Sequence, residues 1–209
     1  MSTWEDKSMS LPLFPTKPIE LGHFIGGQWF FPSTPTHSIY SPYNQQLLGF
    51  YSECSPQEID HGIQEAQKAF LKWKKIPLKE RCQLLFYWRQ ILLRDAKSIS
   101  HVIASESGKL PQEAYAGLMK GIEVLEFAIS LENLDSGSFM EVSRGVTCAY
   151  QREPLGVVAG ITPFNFPAMV PMWMIPLTLA TGNAFVWKPS EQTPLTSKWL
   201  IESLVEAGF

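Results

Sequence analysis

The stretch Gly156–Thr196, GVVAGITPFNFPAMVPMWMIPLTLATGNAFVWKPSEQTPLT, holds two apolar runs joined by an apolar helical segment and a turn, and each run ends in a polar loop. Val157 to Ile161 is a continuous apolar run of the kind that a parallel sheet covered on both faces requires. It stops at Thr162-Pro163, and Asn165 follows. Ala184 to Trp187 is a second run, and it delivers Lys188-Pro189-Ser190-Glu191. Strands joined by a right-handed helical crossover are parallel, so both loops leave the sheet at one edge. Ligands of open α/β sheets bind outside that carboxyl edge. The stretch therefore predicts one βαβ unit with its chemistry at the strand ends.

From Pro154 to Trp187 no side chain is charged, a length that could cross a bilayer by count alone. Pro163, Pro167, Pro171 and Pro176, with Asn165 and Gly182-Asn183, rule out an uninterrupted spanning helix with satisfied backbone groups. The stretch reads as the buried interior of a water-soluble sheet. The 209 residues, 45% of them apolar, are enough for one domain or a large part of one. A net charge of −3 gives no basic footprint for nucleic acid or a membrane surface, which leaves a small molecule as the expected partner. Cys54, Cys82 and Cys148 are odd in number and form no CxxC pair, so neither a disulfide framework nor a zinc knuckle is expected. His23, His37, His61 and His101 lack ligand spacing, and no metal site is expected. Met1 to Lys7 is followed by no apolar signal region, and no arginine precedes Arg81; the expected location is the cytoplasm.

Around this unit the chain divides into a Pro-punctuated leader (1–22) expected to dangle or wrap a neighbour, an N-terminal helical part (23–136), a β-hairpin (137–155) and the βαβ unit (156–209). Phe24 to Trp29 reads as a tight hairpin, and Ile39–Pro42 with Leu47–Tyr51 as a strand pair. Ser55-Pro56-Gln57-Glu58 is a capping box that opens a helix whose apolar face carries Ile59, Ile63, Ala66, Phe70 and Trp73. After Pro77 a second helix, Leu78 to Arg94, places Cys82 on its stripe with Leu85, Trp88 and Leu92, the position of an inert core thiol. A third runs through Ile99, Val102 and Ile103 to Glu106-Ser107-Gly108-Lys109 and ends at Gly108. A fourth begins near Pro111. Asp135 to Gly137 is a turn signal, and Phe139 to Arg152 reads as two strands around Ser143-Arg144-Gly145, with Cys148 as a structural residue. Val205 to Gly208 reads as a helix end with its glycine cap.

Pro163-Phe164-Asn165-Phe166-Pro167, then Ala180-Thr181-Gly182-Asn183, then Lys188 to Pro194 resemble the NAD(P)-dependent aldehyde dehydrogenase superfamily, with three motifs in order at compatible spacing. The resemblance runs from about His23 to Phe209 and covers the N-terminal part only, since members are normally more than twice as long. It implies an α/β fold: an N-terminal helical region with small β hairpins plus the first part of a Rossmann-like parallel sheet, an incomplete aldehyde dehydrogenase fold. Tyr150 to Gly156 and Phe164 to Pro171 are similar to methylmalonate-semialdehyde dehydrogenases, which implies oxidation of an aldehyde with NAD as cofactor and either coenzyme A, as a co-substrate, or water as the acyl acceptor.

The family's route needs a thiolate nucleophile, an oxyanion donor, a hydride acceptor and a group that releases the acyl product. By resemblance Asn165 is the oxyanion donor; read without that motif it is expected to cap the helix that begins near Pro167. Lys188 and Glu191 match the residues that hold the adenosine ribose, and a carboxylate there favours NAD over NADP. Ile161, Thr162, Pro163 and Phe164 line the adenosine side of that cofactor site. None of the three cysteines stands in the family's Gly-Gln-x-Cys setting, so the truncated chain is expected to be inactive alone. The 139–152 hairpin matches the one through which family members pair subunits, which implies a homo-oligomer once the rest of the fold is present. Alternative readings are a non-catalytic nucleotide-binding or subunit-association module, or a truncated remnant.

Overall fold

The computed structural model describes residues 17–31, 37–133 and 137–209. The chain begins with β1 (Ile19–Leu21), the hairpin of β2 (His23–Ile25) and β3 (Gln28–Phe30), then β4 (His37–Tyr40) and β5 (Leu47–Tyr51). β5 is the centre of a three-stranded sheet, antiparallel to β4 and parallel to β1. At the end of the 1–22 segment, Ile19–Leu21 is a strand laid against β5, and Leu21 is buried. Three residues after Pro18 are too few to show an alternation in sequence, and the pairing that orders them comes from thirty residues downstream. Residues 1–16, and the turn signal at 135 and 136, lie outside the described residues.

Four helices follow: α1 (Pro56–Trp73), α2 (Leu78–Arg94), α3 (Ala96–Ser107) and α4 (Pro111–Ser130). The capping box of α1 forms as read. Glu58 N–H donates to Ser55 Oγ (3.2 Å), and Ser55 N–H donates to the Glu58 carboxylate (2.7 Å). α3 ends at Gly108 with φ of 75°, a left-handed conformation that glycine adopts without a Cβ penalty. A hairpin, β6 (Ser138–Ser143) and β7 (Val146–Tyr150), stands out with every residue of β7 exposed, Cys148 among them.

The βαβ unit is β8 (Val157–Ile161), α5 (Met169–Ala180) and β9 (Ala184–Lys188), followed by α6 (Pro194–Ala207). β8 and β9 are parallel, with Ile161 opposite Lys188. Two-sided burial of β8 is not met: Ala159 is exposed and Ile161 is 78% exposed on one face, while Val158 is half-buried and Gly160 buried on the other.

One apolar core joins α2 to α6, with Leu85, Trp88, Leu92, Ile99, Leu118, Leu125, Met172 and Leu200 fully enclosed. α4 and α5 approach closely at Gly121, where a Cβ would fall 2.8 Å from Met172 Sδ, so a larger residue there would force the Met172 side chain to shift. The C-terminus of α5 is held by neighbours: Trp73 Nε1 donates to Leu179 O (2.9 Å) and Arg81 Nε to Ala180 O (2.8 Å). A buried cation there also complements the negative end of the helix dipole. Asn183 fixes the other side of the turn, its Oδ1 accepting from Gly156 N–H (2.9 Å) at the entrance to β8. The Thr181-Gly182-Asn183 motif is thus a staple that sets the two strands in register. Cys82 is buried on α2, as its stripe position predicts.

Candidate functional site

The register of β8 and β9 places their exits side by side. Thr162 N–H continues the ladder to Lys188 O (3.2 Å), and Trp187 Nε1 crosses to donate to Thr162 Oγ1 (2.9 Å). Thr162 is buried by this pairing, while Ile161, Pro163, Phe164 and Asn165 are exposed. On the second loop Lys188 Nζ lies 2.7 Å from Glu191 Oε2. That hydrogen-bonded ammonium, helped by the backbone N–H of Glu191, holds the Glu191 carboxyl below the usual range. Both side chains face solvent, so the pair does little for stability and is open to a ligand. Beneath this loop Tyr51 packs towards Leu195 and stacks on His37 at 4.9 Å. Burial and the nearby Glu191 charge raise the Tyr51 hydroxyl.

Asn165 does not cap the helix after it. α5 begins two residues beyond Pro167, its N-cap is Ala168, and no side chain caps it. The amide is exposed at the outer end of the first loop, between Phe164 and Phe166. Phe166 is pinned from the α3–α4 turn by Lys109, whose Nζ sits 3.6 Å from the ring centroid. Burial lowers the Lys109 ammonium, and the nearby Glu113 charge partly offsets this.

The second loop is anchored from the same turn. Glu106, 5% exposed, accepts from Leu195 N–H (2.8 Å) and Thr196 N–H (2.9 Å), and its carboxyl also contacts the Thr196 hydroxyl. Burial pushes the Glu106 carboxyl up to about 8, against the pull of Thr196 and Leu195. The proton is then held more tightly in the folded chain than in the unfolded one, where the value is the ordinary 4.5. The Glu106 contribution to stability is thus full below pH 4.5 and is lost as pH rises through about 8. The expected result is that wild type loses stability relative to Glu106→Gln by up to roughly 1 kcal/mol per pH unit across that window, read from urea midpoints.

Neither Glu106 nor Lys109 was singled out for the site from sequence, although one signal was present. Ile99, Ile103 and Glu106 share a helical face at i, i+4 and i+7, and a carboxylate on an apolar stripe needs a buried partner. Cys82 and Cys54 are not favoured as thiolates here. Burial raises Cys82 first, with Glu132 adding to it; burial and Glu58 raise Cys54. Among the described residues no group of three metal-ligating side chains comes together.

A parallel strand pair with both polar loops at its carboxyl edge has the α/β layout in which ligands bind outside the strand ends. A family profile described as "Aldehyde dehydrogenase family" matches residues 29–209, and the chain belongs to that family. It is 40% identical over 191 residues to malonate-semialdehyde dehydrogenase 2 of Geobacillus thermodenitrificans (strain NG80-2), covering 90% of this chain and 40% of that protein. Among solved structures it superposes on methylmalonate-semialdehyde dehydrogenase of Oceanimonas doudoroffii, with a TM-score of 0.87 and 35% identity over 90% of this chain and 39% of that one. Betaine aldehyde dehydrogenase of Staphylococcus aureus in complex with NAD+ gives 0.85 and 29%, over 90% of this chain and 38% of its own. The fold is therefore the N-terminal portion of an aldehyde dehydrogenase fold, and the chain spans 40% of the length of the first of these relatives.

Proposed function

We propose that the chain is the cofactor-side, N-terminal portion of an NAD-dependent semialdehyde dehydrogenase that oxidises a methylmalonate-semialdehyde-like aldehyde to an acyl-CoA or an acid. The observation that carries this is the strand register, which sets the Thr162–Asn165 loop beside the Lys188–Glu191 loop at one sheet edge. The residues suit a dinucleotide: an exposed carboxylate for ribose hydroxyls, and a lysine that orients it. Ile161 and Phe164 add exposed apolar surface for the adenosine side. NAD, when bound, accepts the hydride. Glu191 accepts from the ribose hydroxyls, and its charge repels the 2′-phosphate of NADP. The Asn165 amide donates to the oxygen that becomes negative when a nucleophile adds to the aldehyde carbonyl.

The nucleophile and the group that releases the acyl product come from outside these 209 residues, so the chain alone has no dehydrogenase activity. A cytoplasmic location accords with three free thiols, two of them exposed. A second reading, a nucleotide-binding or subunit-association module, is favoured by the β6–β7 hairpin. Phe139, Met140, Val142, Val146 and Tyr150 are all more than half exposed on it, a surface suited to pairing with a second copy.

Titration of NAD into the chain, followed by tryptophan fluorescence, tests the cofactor assignment. Trp187 reports on the loop through its bond to Thr162. NAD is expected to bind more tightly than NADP, and Glu191→Ala to weaken NAD about tenfold or more while narrowing that preference. Equal binding of NAD by wild type and variant would overturn the role of Glu191.

A further inference from the structure

We infer that Glu106 and Lys109 are positioning residues: from the two ends of one short turn they hold the two ligand loops of the site in a fixed relation. The inference rests on the cofactor reading for its functional meaning, and on geometry for the clamp itself.

α6 begins with Pro194, which has no N–H, and its N-cap Thr193 makes no side-chain cap bond. The next two donors, Leu195 and Thr196 N–H, are those that a local cap would normally satisfy. Here the carboxyl group of Glu106 takes both, from a helix about ninety residues earlier, and each of its oxygens serves one donor. The Thr196 hydroxyl completes the site and serves either protonation state, since it donates to a carboxylate and accepts from a carboxylic acid. The loop with Lys188 and Glu191 is consequently fixed at its start by the strand ladder and at its end by Glu106.

Three residues on, Lys109 covers the ring of Phe166, the direct neighbour of Asn165. The turn between the two is itself restrained. Gly108 lies against Pro42, where an added Cβ would fall 3.0 Å from Pro42 Cγ, and the Tyr43 hydroxyl donates to Lys109 O. One body, built on α3 and steadied by the β4–β5 connection, therefore touches the oxyanion-side loop and the ribose-side loop. Neither contact reaches a ligand, which is why both residues act through others.

Hydrogen exchange read by mass spectrometry on the 209-residue chain tests this, with Glu106→Gln, Lys109→Met and Thr196→Val compared to an exposed-surface control, Lys120→Gln. A glutamine at position 106 retains one acceptor and turns an N–H toward the other donor. Glu106→Gln is expected to speed exchange about tenfold in peptides from 189 to 197, with α2 and α4 unchanged. Thr196→Val, which keeps the carboxylate and both N–H bonds, guards against a Glu106 variant that does not fold, and is expected to give the same local pattern more weakly. Lys109→Met is expected to speed exchange in residues 164–169 alone. In parallel, Glu106→Gln weakens NAD binding severalfold and lowers the preference for NAD over NADP.

Unchanged loop exchange would overturn the clamp, as would a uniform rise across α2, α4 and the loops, which is the mark of a merely structural role. Loosened loops with unaltered NAD binding would also overturn it. Failure of the wild-type chain to bind NAD would count against the cofactor reading, and the local exchange pattern would then decide the clamp by itself.

Discussion

If the proposed function holds, replacing Asn165 by alanine in a full-length aldehyde dehydrogenase polypeptide that carries this segment is expected to lower turnover about a hundredfold or more while leaving NAD affinity near the wild-type value. The expectation follows from where the amide stands. It is exposed at the end of β8, and the helix that follows starts at Met169 without recruiting it as a cap. An amide spent on capping would be lost with a small drop in stability, whereas this one is free to donate to a developing oxyanion. The loss belongs to kcat because the oxyanion exists only in the transition state and the adduct. Steady-state kinetics with an NAD titration check both halves. A variant with wild-type kcat, or one that loses only NAD binding, would remove Asn165 from the chemistry.

Trp88→Ala is expected to destabilise the chain by about 3–5 kcal/mol, measured from urea unfolding by circular dichroism. Trp88 is fully enclosed where α2 meets α6, and its Nε1 donates to Ser203 Oγ at 2.8 Å. Alanine removes the largest side chain of the main core and leaves a cavity that two packed helices cannot close. It also deprives the Ser203 hydroxyl of a donor, although Ser203 keeps its own bond to Leu200 O. Trp88→Phe retains most of the ring and is expected to cost about 1–2 kcal/mol, the hydrogen bond being the main loss. Since domains of this size are stable by about 5–15 kcal/mol in all, the alanine variant removes a large share. A loss below about 1 kcal/mol would mean that the core is looser than its packing indicates.

The βαβ unit is legible in sequence because its signals are local: two apolar runs, a proline-rich polar exit, and a lysine-led loop at the second exit. The same holds for α1, where Ser55 and Glu58 satisfy each other within one turn, and for the end of α3 at Gly108. What sequence reading misses depends on partners far along the chain. Ile19–Leu21 is a strand only because β5 lies beside it. Glu106 is placed on an apolar stripe by its spacing, but its reason for being there is the N-terminus of α6. The exposure of Ile161 departs from the doubly covered reading for a further reason: a run of apolar residues states what a strand can bury, and what packs on each of its two faces decides what it does bury.

The bond between Trp88 and Ser203 has a consequence for biogenesis. Its partners are 115 residues apart in sequence, and the apolar face of α2 is closed by α6. At ribosomal speeds of about 5–20 residues per second, α2 emerges on the order of ten seconds before its cover. For that interval Leu85, Trp88 and Leu92 form a sticky stripe on an otherwise finished helix. α4, which packs on the same helix, arrives sooner, so the stripe is partly covered early and fully enclosed only once α6 has formed.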